Sequence, residues 1–381
     1  MALKTAPAPT RRRTRKQVRP LWLWLASAAI SLCFTAITVH TWIDAADHST
    51  PITSRGVTVP NAAAANRVIA KRFAARRPVY LIPTGVLLHS IEFVNSNNVK
   101  VTGHIWQRIP PSLPDEVARG VMLPEADDTH PLKPAFDFTE GADHIIGWSF
   151  TATLRQQFDY RDYPLDHQDV WLRMRPDDLA HPVQLIPDFK AYPPWNPTAM
   201  HGLDPGLLFG EWQPHYTTFS LEHLEYGLSD QLAMQADELY FNVGVSRGLL
   251  GPTIGRIVPV VLLAILMFLS LFVITTDPDR RLVSGFTAFA IIGFAVTTVL
   301  VVAVNDNGAR TETGSAGIAY IEFWYFTLYL MTLLVAVNAT LLVAGGLRGL
   351  IAWRENLLPK LLFWPLFTGV MLAATIGCLG I

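Results

Sequence analysis

The 381-residue sequence has only two cysteines and few charged residues, with Asp, Glu, Lys and Arg together making up 16%. Both cysteines, Cys33 and Cys378, lie in long apolar stretches, so the polar middle of the chain has none and no disulfide holds it. A chain with 50% hydrophobic residues and a mean hydropathy of +0.28 is too apolar for an ordinary soluble protein. Because the apolar residues are concentrated in a few long runs, the composition predicts a membrane protein with one soluble part.

The sequence also lacks the patterns that would indicate an enzyme or a nucleic-acid-binding protein. It contains no paired nucleophile and base, no phosphate-binding loop and no metal-ligand spacing, so we predict neither catalysis nor a cofactor. Ten of the histidines lie between His48 and His223, but they are scattered, and solvated or core positions explain them better than a zinc site. The net charge of −1 gives no sign of a nucleic-acid partner.

The N-terminus begins with a basic tail, residues 1–20, that contains no Asp or Glu, followed by the apolar run 21–43. Such a start is typical of a cleaved signal peptide or of a retained signal anchor. The length of the run and the lack of a clean cleavage site favour the anchor. In either case the tail stays in the cytoplasm and the next domain is exported. Residues 44–78 are predicted to be a solvated linker, with a short basic helix at Asn61–Arg77 as the alternative.

Between residues 79 and 251 the sequence changes to short apolar runs separated by Pro, Gly, Asn and Asp. Several of these runs alternate apolar with polar residues, as half-buried strands do. The predicted strands are Val79–Ile82, Gly85–Leu88, Val99–Trp106, Trp148–Leu154, Val170–Met174, Val183–Ile186, Tyr216–Phe219 and Leu239–Val245. Their spacing, with almost no helical periodicity between them, predicts an all-β sandwich that is Ig-like with about ten strands.

Residues 252–381 contain four further apolar runs, each long enough to cross a bilayer. These runs are Ile257–Ile274, Leu282–Val304, Tyr320–Val343 and Leu361–Ile381. They predict a four-helix transmembrane bundle in addition to the N-terminal helix. Chain direction places the loops Thr275–Arg281 and Gly345–Lys360, which are rich in Arg and Lys, on the same side as the N-terminus. This distribution predicts a multi-pass protein of the inner membrane with a cytoplasmic N-terminus and a periplasmic or extracellular β domain.

The run Leu282–Val304 has one helical face that is small and partly hydroxylic. The residues on this face, at steps of three and four, are Thr287, Ala290, Phe294, Thr297 and Val301. A helix with one modestly polar face inside a bundle is what each subunit of a water-filled pore supplies. The same residue types also mediate close helix packing or bond to their own backbone, so the pattern alone leaves a packed bundle as the alternative.

Four passages, taken in order, resemble one family. Gly85–Trp106 is similar to its first hairpin, and Phe158–Gln168 (FDYRDYPLDHQ) to its loop between strands six and seven. Arg247 and Pro259 stand at the spacing of its pre-membrane Arg and first-helix Pro, and Arg281–Thr287 resembles the opening of its pore helix. The family is the pentameric ligand-gated ion channel (Cys-loop receptor) superfamily, in its prokaryotic form without the disulfide. The resemblance covers nearly all of the chain except the anchor and the linker, and an additional N-terminal membrane helix is unusual for the family.

The resemblance implies a homopentamer whose β domain gates an ion pore in response to a small-molecule or proton agonist. It assigns the pore lining to Arg280, Arg281, Val283, Thr287, Ala290, Phe294, Thr297 and Val301. It assigns the coupling of the β domain to the helices to Tyr163, Pro164, Asp166, Arg247 and Pro259. In that arrangement the Tyr163-Pro164 tip presses on the outer loop Asn305–Gly317, and Arg247 pairs with Asp166 or Asp162.

The agonist site implied by the resemblance lies at the subunit boundary. Its aromatic residues are Phe136, Phe138, Tyr192, Trp195 and Tyr226. Aromatic faces of this kind attract cations. The alternative, that Phe136 and Trp195 belong to the core of the sandwich, stays open at this point.

The charge at the inner mouth of the pore bears on selectivity. Arg280 and Arg281 in each subunit would repel cations and favour anions, unless they reach the lipid headgroups or pair with Asp277 and Asp279. A ring of Phe294 side chains would be able to dewet and close the pore. The alternative function is therefore a non-conducting, membrane-anchored sensory or binding protein with the same fold.

Overall fold

The computed structural model describes a β-rich domain joined to long apolar helices. The described residues are 21–47, 52, 54–73, 79–128, 132–178, 180–224, 237–273, 281–314, 317–344, 353 and 356–380. They contain eleven strands in two sheets and five helices that are long and apolar enough to cross a membrane. The chain is thus a multi-pass membrane protein with one β domain. The basic tail 1–20, Arg280 and Tyr226 lie outside the described residues.

The strands are divided between a five-stranded and a six-stranded sheet. They are β1 (Val57–Thr58), β2 (Tyr80–Asn95), β3 (Asn98–Ile109), β4 (Val121–Met122), β5 (Leu132–Glu140), β6 (Asp143–Arg155), β7 (His167–Pro176), β8 (Val183–Pro187), β9 (Leu203–Leu208), β10 (Trp212–Glu222) and β11 (Glu238–Arg247). The first sheet has the order β1-β10-β11-β7-β4. The second has the order β5-β6-β3-β2-β8, with β9 also paired to β2. Val86, Ile105, Phe219 and Phe241 are among the fully buried residues of the core.

Two of the predicted strands, Val79–Ile82 and Gly85–Leu88, form one long strand in the structure. Pro83 interrupts the sequence pattern, but it faces the parallel partner β8 and is accommodated within β2. Strand β5 was not predicted because it is exposed along almost its whole length and shows no alternation of burial. The two-residue strands β1 and β4 are too short to leave a periodic signal.

The segment predicted as a linker is ordered over most of its described residues. Strand β1 pairs with β10, and helix α2 (Ala62–Phe73) follows it. Val59, Ala65 and Ile69 are buried and belong to the same hydrophobic cluster as the sheets. The linker prediction is therefore wrong over this part, because one apolar residue per helical turn is enough to bury α2 while its basic face stays in water.

The five apolar helices are α1 (Leu21–Asp47), α3 (Leu250–Val273), α4 (Arg281–Thr313), α5 (Tyr320–Ala344) and α6 (Leu357–Leu379). All five predicted spans are thus present as helices, with ends that differ from the prediction by a few residues, except that α3 starts seven residues earlier and α4 ends nine residues later. Within α3, residues Thr253–Ile257 form a π-helical turn. Such turns relieve a local mismatch in an otherwise regular helix.

Helix α4 extends further than the sequence predicts. The polar stretch that begins at Asn305 was expected to end the helix, yet α4 continues to Thr313 and only Gly314, with a φ of 74°, ends it. Hydroxyl groups in the last turns bond back to their own helix, with Thr313 Oγ1 donating to Ala309 O over 3.0 Å. Ion pairs to other helices also hold the polar turns: Arg310 Nη2 lies 2.6 Å from Glu322 Oε2. The outer loop predicted at Asn305–Gly317 is therefore mostly helix.

The N-terminal helix α1 packs against α6 and the start of α5. Ser27 Oγ donates to Leu361 O over 2.6 Å, and Phe34 packs against Gly369, where a Cβ would lie 3.3 Å from its ring. At the other end, Trp42 Nε1 donates to Tyr320 Oη over 2.9 Å. Helix α1 is thus an integral fifth helix of the bundle.

Replacing Trp42 with Phe is expected to destabilise the bundle modestly. The substitution keeps an aromatic ring against Tyr320 and Trp324, whose centroids lie 5.9 and 5.8 Å away, but removes the hydrogen bond to Tyr320. We expect a loss of about 0.5–1.5 kcal/mol, measured as a lower thermal midpoint of the purified full chain in detergent. Trp22→Phe on the same helix, where the side chain is 69% exposed, is the matched control and should leave the midpoint unchanged. Equal midpoints for both variants would contradict the docking of α1.

One end of the helical bundle meets the β domain. His167 Nε2 lies 3.4 Å from Ala45 O near the end of α1, and Tyr320 N at the start of α5 donates to Arg161 O over 2.7 Å. Tyr320 Oη in turn lies 2.7 Å from Thr375 Oγ1 near the end of α6. Strand β11 leads into α3 after residues 248–249. The helices therefore alternate in direction, and the loop Phe158–Gln168 lies where their ends meet the sheets.

Candidate functional site

Arg247, the last residue of β11, is the centre of a buried polar cluster between the β domain and the helices. Its Nε donates to Asp166 Oδ1 over 2.9 Å, and its Nη2 donates to Asp166 Oδ2 over 3.3 Å. Its Nη1 pairs with Glu211. The side chain of Arg247 is 8% exposed and that of Asp166 is 0% exposed. Of the two acids predicted as partners, Asp166 lies against Arg247, while Asp162 is exposed.

Aromatic rings complete the surroundings of the Arg247 guanidinium. Its Cζ lies 4.2 Å from the centroid of Trp212 and 4.9 Å from that of Tyr163, which are favourable cation–π distances. Burial alone would lower the pKa of Arg247, but the charge of Asp166 and the hydrogen bond to it raise this pKa above its ordinary value. Arg247 is therefore a permanent positive charge whose position depends on Asp166.

The loop Phe158–Gln168 is shaped by the side chain of its last residue. Gln168 Oε1 accepts from Asp159 N over 3.1 Å, while Gln168 Nε2 donates to Asp159 O over 2.6 Å and to Asp166 Oδ2 over 3.1 Å. The same amide thus closes the loop and orients the carboxylate that holds Arg247. The peptide bond before Pro164 is cis, and both Tyr163 and Pro164 are buried.

The tip of this loop contacts two helices. Tyr163 Oη donates to Glu312 Oε2 over 3.0 Å in the last turn of α4. Ile321 N, at the start of α5, donates to Tyr163 O over 3.1 Å. Glu312 also pairs with Arg256 in the π-helical turn of α3. The tip therefore meets the end of α4, and a continuous row of polar contacts joins Arg247 to α3, α4 and α5.

Burial determines the protonation of the loop side chains. It raises the pKa of Tyr160 to about 12, although the positive charge of Arg247 opposes the shift. Burial and the charge of Glu312 raise the pKa of Tyr163 above its ordinary value. Both phenols therefore remain protonated around neutral pH, so Tyr163 acts as a hydrogen-bond donor to Glu312.

Pro259 lies directly after the π-helical turn of α3. Val258 N, just before it, donates to Thr253 O, which is the wider spacing of a π-helix. Proline has no N–H to continue the regular hydrogen-bond pattern, so the turn and Pro259 together interrupt the helix at one place. Arg256, which pairs with Glu312, lies within this interruption.

The structure divides the surface of α4 into distinct faces. One face, made of Ala288, Ile291, Ala295, Thr298 and Val302, is buried against the other helices of the chain. Among the residues predicted to line a pore, Ala290, Thr297 and Val301 are exposed in the single chain, and Thr287 and Phe294 are half-buried. A bulky apolar face beside them, which includes Phe286, Phe289, Leu300 and Val304, is strongly exposed. Arg281 and Val283 lie in the first turn of α4, and their side chains are outside the described residues, as is Arg280.

Phe136 and Phe138 form one exposed aromatic pair on strand β5. Their ring centroids are 5.8 Å apart, and they are 36% and 49% exposed. Gly147 lies directly across from Phe136 on β6, and a Cβ at that position would overlap the Phe136 ring. The ring therefore lies flat against the sheet, with one face open to solvent.

Tyr192 and Trp195 pack with the core of the β domain. Tyr192 Oη both accepts from Val86 N and donates to Val86 O, each over 2.7 Å. The Trp195 ring centroid lies 5.1 Å from that of Tyr192 and 5.0 Å from that of the buried Phe219. Among the described residues, no ring contact joins this pair to Phe136 and Phe138. The four predicted aromatic residues that the structure describes thus form two separate groups within one chain, and Tyr226 lies outside the described residues.

Several polar contacts in this region were not predicted from the sequence. Two ion pairs join segments that are far apart in the chain: Arg256 with Glu312, and Arg247 with Glu211, its second acidic partner. The one sequence signal for Arg256 was its position directly before a long apolar run. No comparable signal marked Glu211, because exposed loop carboxylates are common.

The described residues contain no cluster of three or more His, Cys, Asp or Glu side chains arranged to hold a metal ion. The main candidate site is the polar junction around Arg247. The aromatic pair on β5 and the exposed face of α4 are further candidates. In comparisons with known proteins, no family model and no curated protein matches this sequence.

Proposed function

We propose that the chain is a subunit of a homopentameric ligand-gated ion channel, in which the β domain is an Ig-like sandwich that binds the agonist and α4 lines the pore. The observation that carries the proposal is a row of three contacts: Asp166 holds Arg247, the Arg247 guanidinium lies over the ring of Tyr163, and Tyr163 Oη donates to Glu312 at the end of α4. A rigid polar junction of this kind transmits a shift of the sheets directly to the helix that would surround the pore.

The surface of α4 supports the assembly of several copies. In the proposed pentamer the bulky residues Phe286, Phe289, Leu300 and Val304 pack against neighbouring subunits. The smaller face with Thr287, Ala290, Thr297 and Val301 then borders water. The charges of Arg280 and Arg281 at its inner mouth favour inorganic anions.

The distribution of positive charge supports the proposed orientation. The basic tail 1–20 and the loops Thr275–Arg281 and Gly345–Lys360 carry most Arg and Lys near the apolar helices, so these segments face the cytoplasm of a bacterial inner membrane. The β domain is then periplasmic, where a small molecule or protons act as the agonist. Phe136 and Phe138 are its best candidates for ligand contact because their rings are accessible.

A second candidate is a non-conducting sensory or binding protein with the same fold. It is favoured by the hydroxyl groups of α4, since Thr297 Oγ1 donates to Gly293 O over 3.1 Å and Thr298 Oγ1 to Phe294 O over 3.0 Å. Hydroxyls that bond to their own backbone give little polarity to a lumen. Current recording from purified protein in planar bilayers separates the two functions.

Thr287→Cys tests whether this face of α4 borders water. In a Cys33→Ser, Cys378→Ser background, we expect a charged, water-soluble thiol reagent to modify Cys at position 287 in liposomes, as seen by the mass of the intact chain. Ala288→Cys is the matched control, because Ala288 is 4% exposed and packs within the chain's own bundle. Equal protection of both positions would show a packed helix and contradict the pore.

A further inference from the structure

Three titratable side chains form a hydrogen-bonded row on the solvent face of the six-stranded sheet. His89 Nδ1 lies 2.9 Å from Asp204 Oδ2, and His89 Nε2 lies 2.7 Å from His104 Nδ1. The side chains of His89 and Asp204 are 35% and 39% exposed, so water reaches the row. We call these three residues the His–His–Asp row.

The geometry of the row suits protons and not a metal ion. The two nitrogens of His89 point in opposite directions, one to Asp204 and one to His104, so the three side chains do not converge on one point. A single arrangement of protons satisfies every contact: His89 Nδ1–H donates to Asp204, and His104 Nδ1–H donates to His89 Nε2. The lone pair on His104 Nε2 then remains available for a proton.

We infer that the His–His–Asp row is a proton switch that stays closed with one added proton and opens with the second. With one added proton, one ring is an imidazolium and the other still supplies a nitrogen lone pair to it, so both hydrogen bonds remain intact. With a second proton, neither ring has a lone pair to offer the other across the His89–His104 contact. Two adjacent imidazolium rings then share one carboxylate, Asp204 at the end of the row, so the rings separate.

The surroundings oppose the second proton. Burial and the charge of His89 lower the pKa of His104. The backbone N–H of Gly206, which donates to Asp204 Oδ1 over 2.8 Å, and the hydrogen bond from His89 lower the pKa of Asp204. Asp204 thus stays ionised over the pH range in which histidines titrate.

Few other charges face the row. On β3, Lys100 and Arg108 each lie four residues from His104; Lys100 is the cross-strand partner of Glu92 on β2, and Arg108 pairs with Glu140 and Asp188. On β6, Ser149 lies opposite His104, and Lys133 of β5 is the partner of Ser149. Before β9, His201 packs beside Trp195, with ring centroids 5.6 Å apart. No hydrogen bond joins these groups to the rings of His89 or His104 among the described residues, so the contact between the two histidines decides the switch.

The His–His–Asp row links strands β2 and β9, and β9 leads on to the polar junction around Arg247. His89 lies at the irregularity of β2 between Leu88 and Ser90, the same place where β9 pairs with β2. Strand β9 leads through residues 209–211 into β10, and Glu211 pairs with Arg247. Opening the row frees Asp204 from β2 and loosens the segment that carries Glu211. The switch is a property of the β domain and stands whether or not the chain conducts ions.

Hydrogen exchange of the full chain in detergent, measured by mass spectrometry at pH 7.5 and pH 5, tests the switch. In the native chain we expect peptides covering 86–91 and 201–208 to lose protection at the lower pH. His104→Asn places an amide N–H where His104 Nδ1–H lies but cannot take up a proton, so it should keep protection at both values. The native chain and the variant are compared at the same pH, which cancels the chemical effect of pH on exchange.

His144→Asn is the matched control, because His144 also pairs with an aspartate, Asp137, but lies outside the row. It should lose protection at 201–208 as the native chain does. Unchanged protection in the native chain, or the same loss in His104→Asn, would overturn the inference.

A second variant keeps the test decisive if His104→Asn does not fold. Asp204→Asn removes the negative charge that favours protonation of both histidines, so the loss of protection should move to a lower pH. A shift to higher pH, or no shift, would overturn the switch.

The same row predicts the direction of the pH effect on thermal stability. Because the pKa of His104 is lowered in the folded chain, the unfolded chain binds more protons as the pH falls through the ordinary histidine range. The contribution of His104 is therefore fully present above that range and is lost below it. The midpoint of the native chain should fall between pH 7.5 and pH 5 by more than that of His104→Asn, and equal falls would contradict the role of the row.

Discussion

Arg247→Ala is expected to uncouple the β domain from the helices while the chain still inserts in the membrane. The substitution leaves Asp166 buried without its cation and removes the contacts of the guanidinium with Tyr163 and Trp212. Breaking a buried pair in this way costs roughly 3–5 kcal/mol. We expect normal amounts of membrane-inserted protein but no agonist-evoked current, measured by surface labelling and bilayer recording.

The same loop offers a matched control for this prediction. Arg161 pairs with Asp159, but its side chain is 78% exposed, and exposed pairs contribute at most about 1 kcal/mol. Arg161→Ala should therefore keep current close to that of the native chain. Normal responses in Arg247→Ala, or equal losses in both variants, would refute the assignment of the junction.

A double substitution tests whether Arg247 and Asp166 act as a pair within the junction. In Arg247→Ala with Asp166→Ala, no buried charge is left unpaired, so the double variant should be less destabilised than the sum of the two single variants. The thermal midpoints of the three variants measure this coupling without any need for an agonist. Strict additivity would mean that the two side chains do not act as a pair.

Glu238→Gln is expected to cause the largest loss of stability within the β domain. Glu238 is 4% exposed and pairs with both Arg173 and Arg175, which are each 14% exposed. Arg173 Nη2 donates to Glu238 Oε1 over 2.9 Å, and Tyr240 Oη lies 3.4 Å from Glu238 Oε2. The amide keeps the shape of the side chain but removes the charge that both arginines share.

We expect this substitution to lower the free energy of unfolding by roughly 3–5 kcal/mol, because Arg173 and Arg175, both partly buried, lose the negative charge of the carboxylate that they share. For a domain of this size the loss corresponds to a fall in midpoint on the order of 10 °C. Thermal unfolding of the purified full chain measures it. Asp115→Asn, which removes the exposed partner of Arg119, is the control and should change the midpoint little. A small shift for Glu238→Gln would show that the arginines are satisfied by their other contacts.

The sequence predicts the elements whose burial is periodic or whose apolar runs are long. The five membrane helices and the alternating strands β3, β6 and β7 leave such signals, and so does β11, an apolar run that is buried along most of its length. Strand β5 leaves none because both of its faces are exposed, and Pro83 divides β2 into two apparent strands. Local pattern also fails at the end of α4, where Glu322 and Arg256, from other helices, stabilise polar turns that read as a loop.

The same contrast between local sequence pattern and contacts from distant elements applies to the candidate site. The loop Phe158–Gln168 and Arg247 were predicted together through a resemblance, and the choice between Asp166 and Asp162 needed the fold because both acids are close in sequence. Tyr192 and Phe136 look equivalent as aromatic residues in loops. Only the hydrogen bonds of Tyr192 to Val86 show that it holds the β domain together, while Phe136 is accessible. The His–His–Asp row joins residues from three separate strands, and no spacing in the sequence marks it.

The docking of α1 has a consequence for how the chain is made. The partner of Ser27 lies 334 residues further along the chain, and that of Trp42 lies 278 residues further. Both partners belong to helices that follow the β domain in the chain, so α1 reaches its packed position only after α5 and α6 have been made. A chain that stops before α6 lacks the Leu361 carbonyl that accepts from Ser27 and the Gly369 backbone against which Phe34 packs.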